Sequence, residues 1–257
     1  MKRVAVTRPS KFLPDTVRLL NARGLEAVPV PMMEMIPRHD GALEGFFDRL
    51  AAGNVDSVII TSQNGVQFIY DRSADPAMLT KQLNSVEVIG IGPKTNSALT
   101  DRGINHIQMP GTFSSEGIVQ DFCAKLKGRR VEVLRSDHGN PILISGLEAG
   151  GAKIREIIVY DIVPLSGEEQ AGFVREALTG SIDAYTFTST MTARSLLMMG
   201  ESMGVLDELK KEINTKKVAV IGHPTADFLK KSGIRVDVVP ERFTFEDMVE
   251  ALLKVLA

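Results

Sequence analysis

The sequence predicts an α/β protein of two similar domains, each a parallel sheet flanked by helices. Three observations carry this expectation. Short apolar runs alternate with segments of helical period along the 257 residues. A strand–glycine–helix corner occurs twice, as Val86-Glu-Val-Ile-Gly-Ile-Gly-Pro-Lys-Thr95 and as Val218-Ala-Val-Ile-Gly-His-Pro-Thr225. The second half of the chain also answers the first position by position.

Taken in order, residues 2–7 read as a buried strand, and Arg8-Pro9-Ser10 turns into a helix through Leu13, Val17, Leu19 and Leu20 that stops at Gly24. Residues 25–30 give a second strand. Pro29, Pro31 and Pro37 remove backbone donors, so the stretch to Ile36 is expected as an edge strand or extended linker. Leu43, Phe46, Phe47 and Leu50 recur at helical spacing before Gly53. Residues 55–62 form the next strand, which ends in Gln63-Asn64-Gly65. After the strand at 86–89 and its helix, a strand is expected over 104–109, then Pro110 and a helix over about 115–126.

From Arg129 the pattern begins again. Arg130 answers Arg3, Gly151 answers Gly24, Pro164 answers Pro37 and Ser189 answers Ser62, each 127 residues later. Further on the offset becomes 130: Thr225 answers Thr95, Gly233 answers Gly103, Pro240 answers Pro110 and Phe243 answers Phe113. A period this long marks a duplicated domain, since solenoid units run ~20–50 residues. The proline-punctuated stretches 30–38 and 157–165 match across the repeat and read as hinge strands. The expected domains are therefore 1–36 with 165–257, and 39–158.

Composition narrows the function classes. The net charge is −2, and no Lys/Arg run is dense enough to track a nucleic-acid backbone or an anionic membrane. One cysteine, Cys123, allows no intramolecular disulfide and no multi-cysteine zinc site. With no apolar signal region after Met1, a reducing cytoplasm is expected. The four histidines have no metal-ligand spacing, and Gly90-Ile-Gly-Pro-Lys-Thr95 lacks the third glycine of a dinucleotide fingerprint.

What remains is a set of groups just after predicted strands, where open α/β sheets bind ligands. Ser62, Gln63 and Asn64, Ser189 and Thr190, Thr95 and Thr225 stand at strand-to-helix corners. Hydroxyls there serve as N-caps, and the same N–H groups and helix dipole suit a carboxylate or phosphate. Two such corners imply a ligand with several negative groups. Arg8 and Arg135 are candidate carboxylate clamps, with a surface ion pair as the alternative. Tyr160 stands apart: the offset of 127 lands on Met33, so this phenol has no counterpart and is a candidate proton donor, or else an aromatic packed in a linker strand. His138 reads as a loop residue and not a base.

Taken together, Val6-Thr-Arg-Pro9, Asp56-x-x-Ile-Ile-Thr-Ser62-x-x-Gly-Val66, Ile91-Gly-Pro-Lys-Thr95, Val159-Tyr160, Thr186-Phe-Thr-Ser189 and Ile221-Gly-His-Pro-Thr-Ala226 make the chain resemble the uroporphyrinogen-III synthase family end to end. His223-Pro224 departs from that family's Gly-Pro-x-Thr. The resemblance implies a HemD-like, flavodoxin-like pair of domains joined by a two-stranded linker. It also implies a cytoplasmic monomer that needs no metal or cofactor. The implied reaction closes hydroxymethylbilane, a linear tetrapyrrole with eight carboxylates, through a spiro intermediate to uroporphyrinogen III, with loss of water and inversion of ring D. Composition and repeat alone leave two other classes open, a non-catalytic clamshell receptor for an anionic metabolite and a two-domain glycosyltransferase.

Overall fold

The structure, a computed structural model, describes residues 1–256. The first repeat folds as β1 (Lys2–Val6), a 3-10 turn at Ser10–Phe12, α1 (Leu13–Ala22), β2 (Leu25–Pro29), β3 (Met33–Pro37), α2 (Ala42–Ala51), β4 (Ser57–Ile60), α3 (Gln63–Asp71), α4 (Pro76–Leu83), β5 (Glu87–Gly90), α5 (Pro93–Thr100), β6 (Ile107–Gln108) and α6 (Ser115–Phe122). The second gives β7 (Arg130–Ser136), α7 (Ile142–Ala149), β8 (Lys153–Pro164), α8 (Glu168–Leu178), β9 (Ala184–Phe187), α9 (Thr190–Ser202), α10 (Leu206–Thr215), β10 (Lys217–Val220), α11 (His223–Lys231) and α12 (Phe245–Leu256).

The chain divides into two compact units, Met1–Met35 with Val163–Ala257 as unit 1, and Ile36–Ile162 as unit 2. Unit 1 holds the sheet β10-β9-β1-β2, with β1 parallel to both neighbours. The other sheet runs β3-β8-β7-β4-β5-β6. In chain order within its unit, β8-β7-β4-β5-β6 is 5-4-1-2-3; counted from the start of the second repeat, with β7 as first strand, it is, circularly permuted, the flavodoxin-like order 2-1-3-4-5. Unit 1 repeats that order, with a single bridge between Ala219 and Val238 in place of a fifth strand.

Each sheet therefore takes its first strand pair from one repeat and the following strands from the other. The same interaction fastens both exchanges. The Asp183 carboxylate accepts the Arg3 N–H at 2.8 Å, and the Asp56 carboxylate accepts the Arg130 N–H at 2.8 Å. Arg130 also grips Asp56 through its guanidinium, and these bonds bring the Asp56 pKa down to about 2. At the far edges, Asn84 donates to the Gly103 carbonyl and Asn214 to that of Gly233, both at 2.9 Å.

The strands read as continuous apolar runs because both sheet faces are covered. In unit 1, Val4 and Val6 enter one core with Ala184 and Ala219, while Ala5 enters the opposite one with Tyr185, Phe187, Val218 and Val220. In unit 2, Ile59, Ile89, Val131 and Val133 share a core with Ile118, Phe122, Leu143 and Leu147. Each fully buried Val, Leu, Ile or Phe contributes roughly 1.5–3 kcal/mol.

Three elements are shorter by several residues than the sequence predicts. The strand expected over 55–62 spans Ser57–Ile60, and Ser62 beyond it is already the N-cap of α3. The strand expected over 104–109 pairs only through Ile107 and Gln108, because the N–H groups of Ile104 and Asn105 turn inward to the Leu99 carbonyl and the Asn84 side chain. The helix expected to reach Leu126 ends at Phe122 and continues as hydrogen-bonded turns, with the Leu126 N–H still on the Phe122 carbonyl, before Gly128 reverses the chain at φ 78°. Pro29 and Pro31 have the predicted effect. Where the second repeat runs one 12-residue strand, β8, the first is broken into β2 and β3.

Because the units cut across the repeat, residues 36–162 are expected to fold cooperatively alone, whereas 1–127 strands β1 and β2 without β9 and separates β4 from β7. Circular-dichroism melts of the two fragments check this. A cooperative transition for 1–127 with none for 36–162 would overturn the assignment.

Candidate active site

In unit 2 the strand order reverses between β7 and β4, and open α/β sheets bind ligands in the crevice at such a switch point. Beyond the carboxyl end of β4, Ser62 takes an extended conformation and caps α3, its Oγ accepting the Gly65 N–H at 2.8 Å. Gln63 and Asn64 are the first residues of that helix. Beyond Ser136 at the end of β7, the chain folds back over Arg135 so tightly that a Cβ on Gly139 would come within 2.5 Å of the Arg135 side chain. Arg135 is 6% exposed; it donates through Nε to Glu156 at 2.5 Å and through Nη1 to the Asn140 carbonyl at 2.7 Å. Its guanidinium thus shapes the 136–140 loop while one edge borders the crevice.

Tyr160, on β8, brings the crevice together. Its ring is 4% exposed and stacks on Phe68 with centroids 5.0 Å apart, and its hydroxyl lies 3.1 Å from Ser62 Oγ. Tyr160, Ser62 and Arg135 line a cavity of about 200 Å³ with Ile91, Ser115 and His138. Ser62 Oγ already accepts one N–H, so either hydroxyl can donate to the other. When Ser62 donates, the phenol proton is left for a ligand. His138 is the loop residue that the sequence predicts. The structure places it on this cavity, with Nδ1 2.8 Å from the Asp137 carboxylate. A larger hollow of about 520 Å³ around Glu87, His106 and Arg129 lies at the amino ends of the strands, where Arg129 pairs with Glu87 at 2.8 Å.

Unit 1 repeats the corner without the phenol. Ser189 caps α9, accepting the Thr192 N–H at 3.2 Å, and Thr190 is the first helical residue. Against Ser189 Oγ, at 4.0 Å, lies the sulfur of Met33, the residue that answers Tyr160. The arginines diverge in the same way. Glu156, which holds Arg135, is answered by Pro29, and Arg8 has no acid in that place. Arg8 donates to Thr16 Oγ1 at 2.9 Å and lies between the rings of Phe12 and Phe245, while its buried Nε finds no partner. Burial lowers the Arg8 pKa, opposed by Glu246 and Asp15.

The starts of α5 and α11 are built alike in both units. Gly92 and Gly222 are extended N-caps that offer no side-chain acceptor, a proline follows in the first turn, and Thr95 and Thr225 are buried there at 3% and 4% exposure. Helix-start N–H groups at such a place hold a partial positive charge. Among the described residues no group of three or more His, Cys, Asp or Glu could hold a metal ion, and no helix is long and apolar enough to cross a membrane.

The chain as a whole is similar to known proteins. The family model for "Uroporphyrinogen-III synthase HemD" matches residues 14–250. A protein of Archaeoglobus fulgidus, provisionally named a uroporphyrinogen-III synthase, is 32% identical over 256 residues, 97% of either chain. The uroporphyrinogen-III synthase of Chlorobaculum parvum is 27% identical over the full length of both. In fold, the chain is similar to a mutant uroporphyrinogen III synthase of Thermus thermophilus, with TM-score 0.69 and 21% identity across 100% of this chain and 99% of that one. It is similar also to the Helicobacter pylori protein, with TM-score 0.63 and 17% identity across 99% and 100%.

The caps allow a paired test. Ser62→Ala and Ser189→Ala should each cost about 1 kcal/mol for the lost cap, and Ser62→Ala more, because it also strips the buried Tyr160 hydroxyl of its partner. Urea unfolding measures both. Equal losses, or none, would contradict the hydrogen bond between Ser62 and Tyr160.

Proposed function

This chain belongs to the uroporphyrinogen-III synthase family of cyclising lyases in tetrapyrrole biosynthesis, and on that premise we propose how its own residues close hydroxymethylbilane to uroporphyrinogen III. The observation that carries the proposal is an asymmetry between matched corners: Ser62 meets the phenol of Tyr160 at 3.1 Å, while Ser189 meets the thioether of Met33 at 4.0 Å. Ring inversion treats one end of the substrate unlike the other, and one corner alone carries an acidic proton.

The terminal hydroxyl of the bilane departs as water when its C–O bond breaks and the adjacent pyrrole nitrogen supplies the electron pair. Tyr160, its hydroxyl held by Ser62, donates a hydrogen bond or its proton to that oxygen. The already substituted α-carbon of ring D then attacks the methylene cation to form the spiro intermediate; its older methylene bond breaks and re-forms at the free α-carbon of ring D, which reverses the ring and releases that carbon's proton to restore the Tyr160 phenol. The cavity of about 200 Å³ is smaller than the ~300–1,000 Å³ of a pocket that swallows a whole ligand. It suits one end of the bilane, the hydroxymethyl-bearing ring.

The substrate's carboxylates are received chiefly by backbone N–H groups. In unit 2 these are at Gln63 and Asn64 and in the first turn that holds Thr95; in unit 1 they are at Thr190 and in the turn that holds Thr225. Arg8 adds the cation whose acid partner is missing. Arg135, tied to Glu156 and Asn140, contributes its remaining edge. The supporting observations are the glycine-started helices and the orphaned Arg8 Nε. In this account the protein works as a cytoplasmic monomer on a small molecule and not on nucleic acid, in keeping with charges scattered along the chain. Holding a flexible bilane so that its ends meet supplies much of the rate enhancement.

Incubating the protein with enzymatically generated hydroxymethylbilane and separating the isomers tests this. The III isomer should dominate. A receptor that only binds an anionic metabolite would leave the type I product of spontaneous closure, and that result would overturn the proposal.

A further inference from the structure

Eight large apolar side chains are exposed among the described residues, and two of them are aromatic: Phe113, 56% exposed, and Phe243, 51%. They occupy the same place in their units, 130 residues apart. Each lies over the glycine that starts an uncapped helix. A Cβ on Gly92 would come within 3.2 Å of Phe113 Cβ, and one on Gly222 within 3.8 Å of the Phe243 ring. Ile91, next to Gly92, and Ser115, two residues after Phe113, both line the Tyr160 cavity. His223 meets the Phe243 ring edge-on at 5.8 Å.

A local role accounts for part of this. Phe113 and Phe243 precede the N-caps Ser114 and Thr244, which accept the Gly117 and Asp247 N–H groups at 3.1 Å. An apolar residue just before a cap often packs on the residue four beyond it, the positions that Ile118 and Met248 hold here. Any aliphatic side chain performs that task, and the task gives no reason for an aromatic ring left half in solvent in both units. Beside the ring lies a helix start, poised for a carboxylate. A flat apolar face next to an anion-holding turn matches one chemical unit, a pyrrole bearing carboxylate arms.

We infer that Phe113 and Phe243 are platforms on which individual pyrrole rings of the linear tetrapyrrole lie, so that the carboxylate arms reach the first turns of α5 and α11. This rests on the tetrapyrrole substrate proposed above. Each platform belongs to its own unit and binds by ring contact, with no part in the bond-breaking step.

Leucine separates the two roles, because it keeps an apolar side chain before the cap and removes the aromatic face. In the full chain, Phe113→Leu and Phe243→Leu should each raise the KM for hydroxymethylbilane roughly 3- to 10-fold, as loss of a ring–ring contact implies. The double variant should raise it on the order of 10- to 100-fold if the sites are independent. kcat should hold, and melting temperatures should stay within about 2 °C. Equilibrium binding of uroporphyrin III, followed by its fluorescence, reads the same contacts without turnover and should weaken in parallel. Variants with unchanged KM and unchanged uroporphyrin binding would overturn the platforms, as would a KM rise that merely follows a lowered melting temperature. A wild-type protein that forms no III isomer, yet binds uroporphyrin through these rings, would overturn the proposed reaction and leave the platforms standing.

Discussion

A buried parallel strand delivers its chain, at the carboxyl end, into the start of a helix whose first N–H groups have no partner within that helix. How each start is satisfied decides what it can do. At α3 and α9 a serine hydroxyl answers an N–H at 2.8 and 3.2 Å, and at α6 and α12 Ser114 and Thr244 do the same. At α5 and α11 the N-cap is glycine and offers no such acceptor. The parallel arrangement gathers these ends on one edge of each sheet, and the switch point puts the ends of β4 and β7 next to each other. The site is a consequence of strand order before it is a matter of side chains.

Duplication gives two such edges, and single substitutions then set them apart. Tyr160 against Met33 changes a hydroxyl pair into a hydroxyl–sulfur contact at the same corner. Glu156 against Pro29 leaves Arg135 paired and Arg8 with a buried, unpartnered Nε. The exchange of strand pairs between repeats, fastened by Asp56 on Arg130 and Asp183 on Arg3, keeps both edges in register while the residues on them differ.

Much of the fold was legible because it is local. Apolar runs, glycine stops and the offsets of 127 and 130 mark strands, corners and repeat without reference to distant contacts. Ser62 and Ser189 were readable as caps for the same reason. The contacts that make a site were not. Ser62 and Tyr160 are 98 residues apart, and Arg135 meets Glu156 across neighbouring strands, so both depend on strand order. His138 shows the cost: periodicity describes a loop, and only the fold-back over Arg135 puts it on the cavity. Helix α4 escaped notice although Asp75 caps it and Pro76 begins it, since its apolar stripe is short. A signal for the arginines was available, because the offset that pairs Arg8 with Arg135 also pairs Pro29 with Glu156.

The central claim is that one phenol, held by Ser62, assists departure of the substrate hydroxyl. Single-turnover kinetics of Tyr160→Phe with hydroxymethylbilane, on protein whose melting temperature matches wild type, test it most directly. The account predicts that formation of the III isomer slows by roughly 10²- to 10⁴-fold, while the fraction of substrate bound is little changed. Conversion to the III isomer at the wild-type rate would contradict it, and would leave conformational control with water as the proton source.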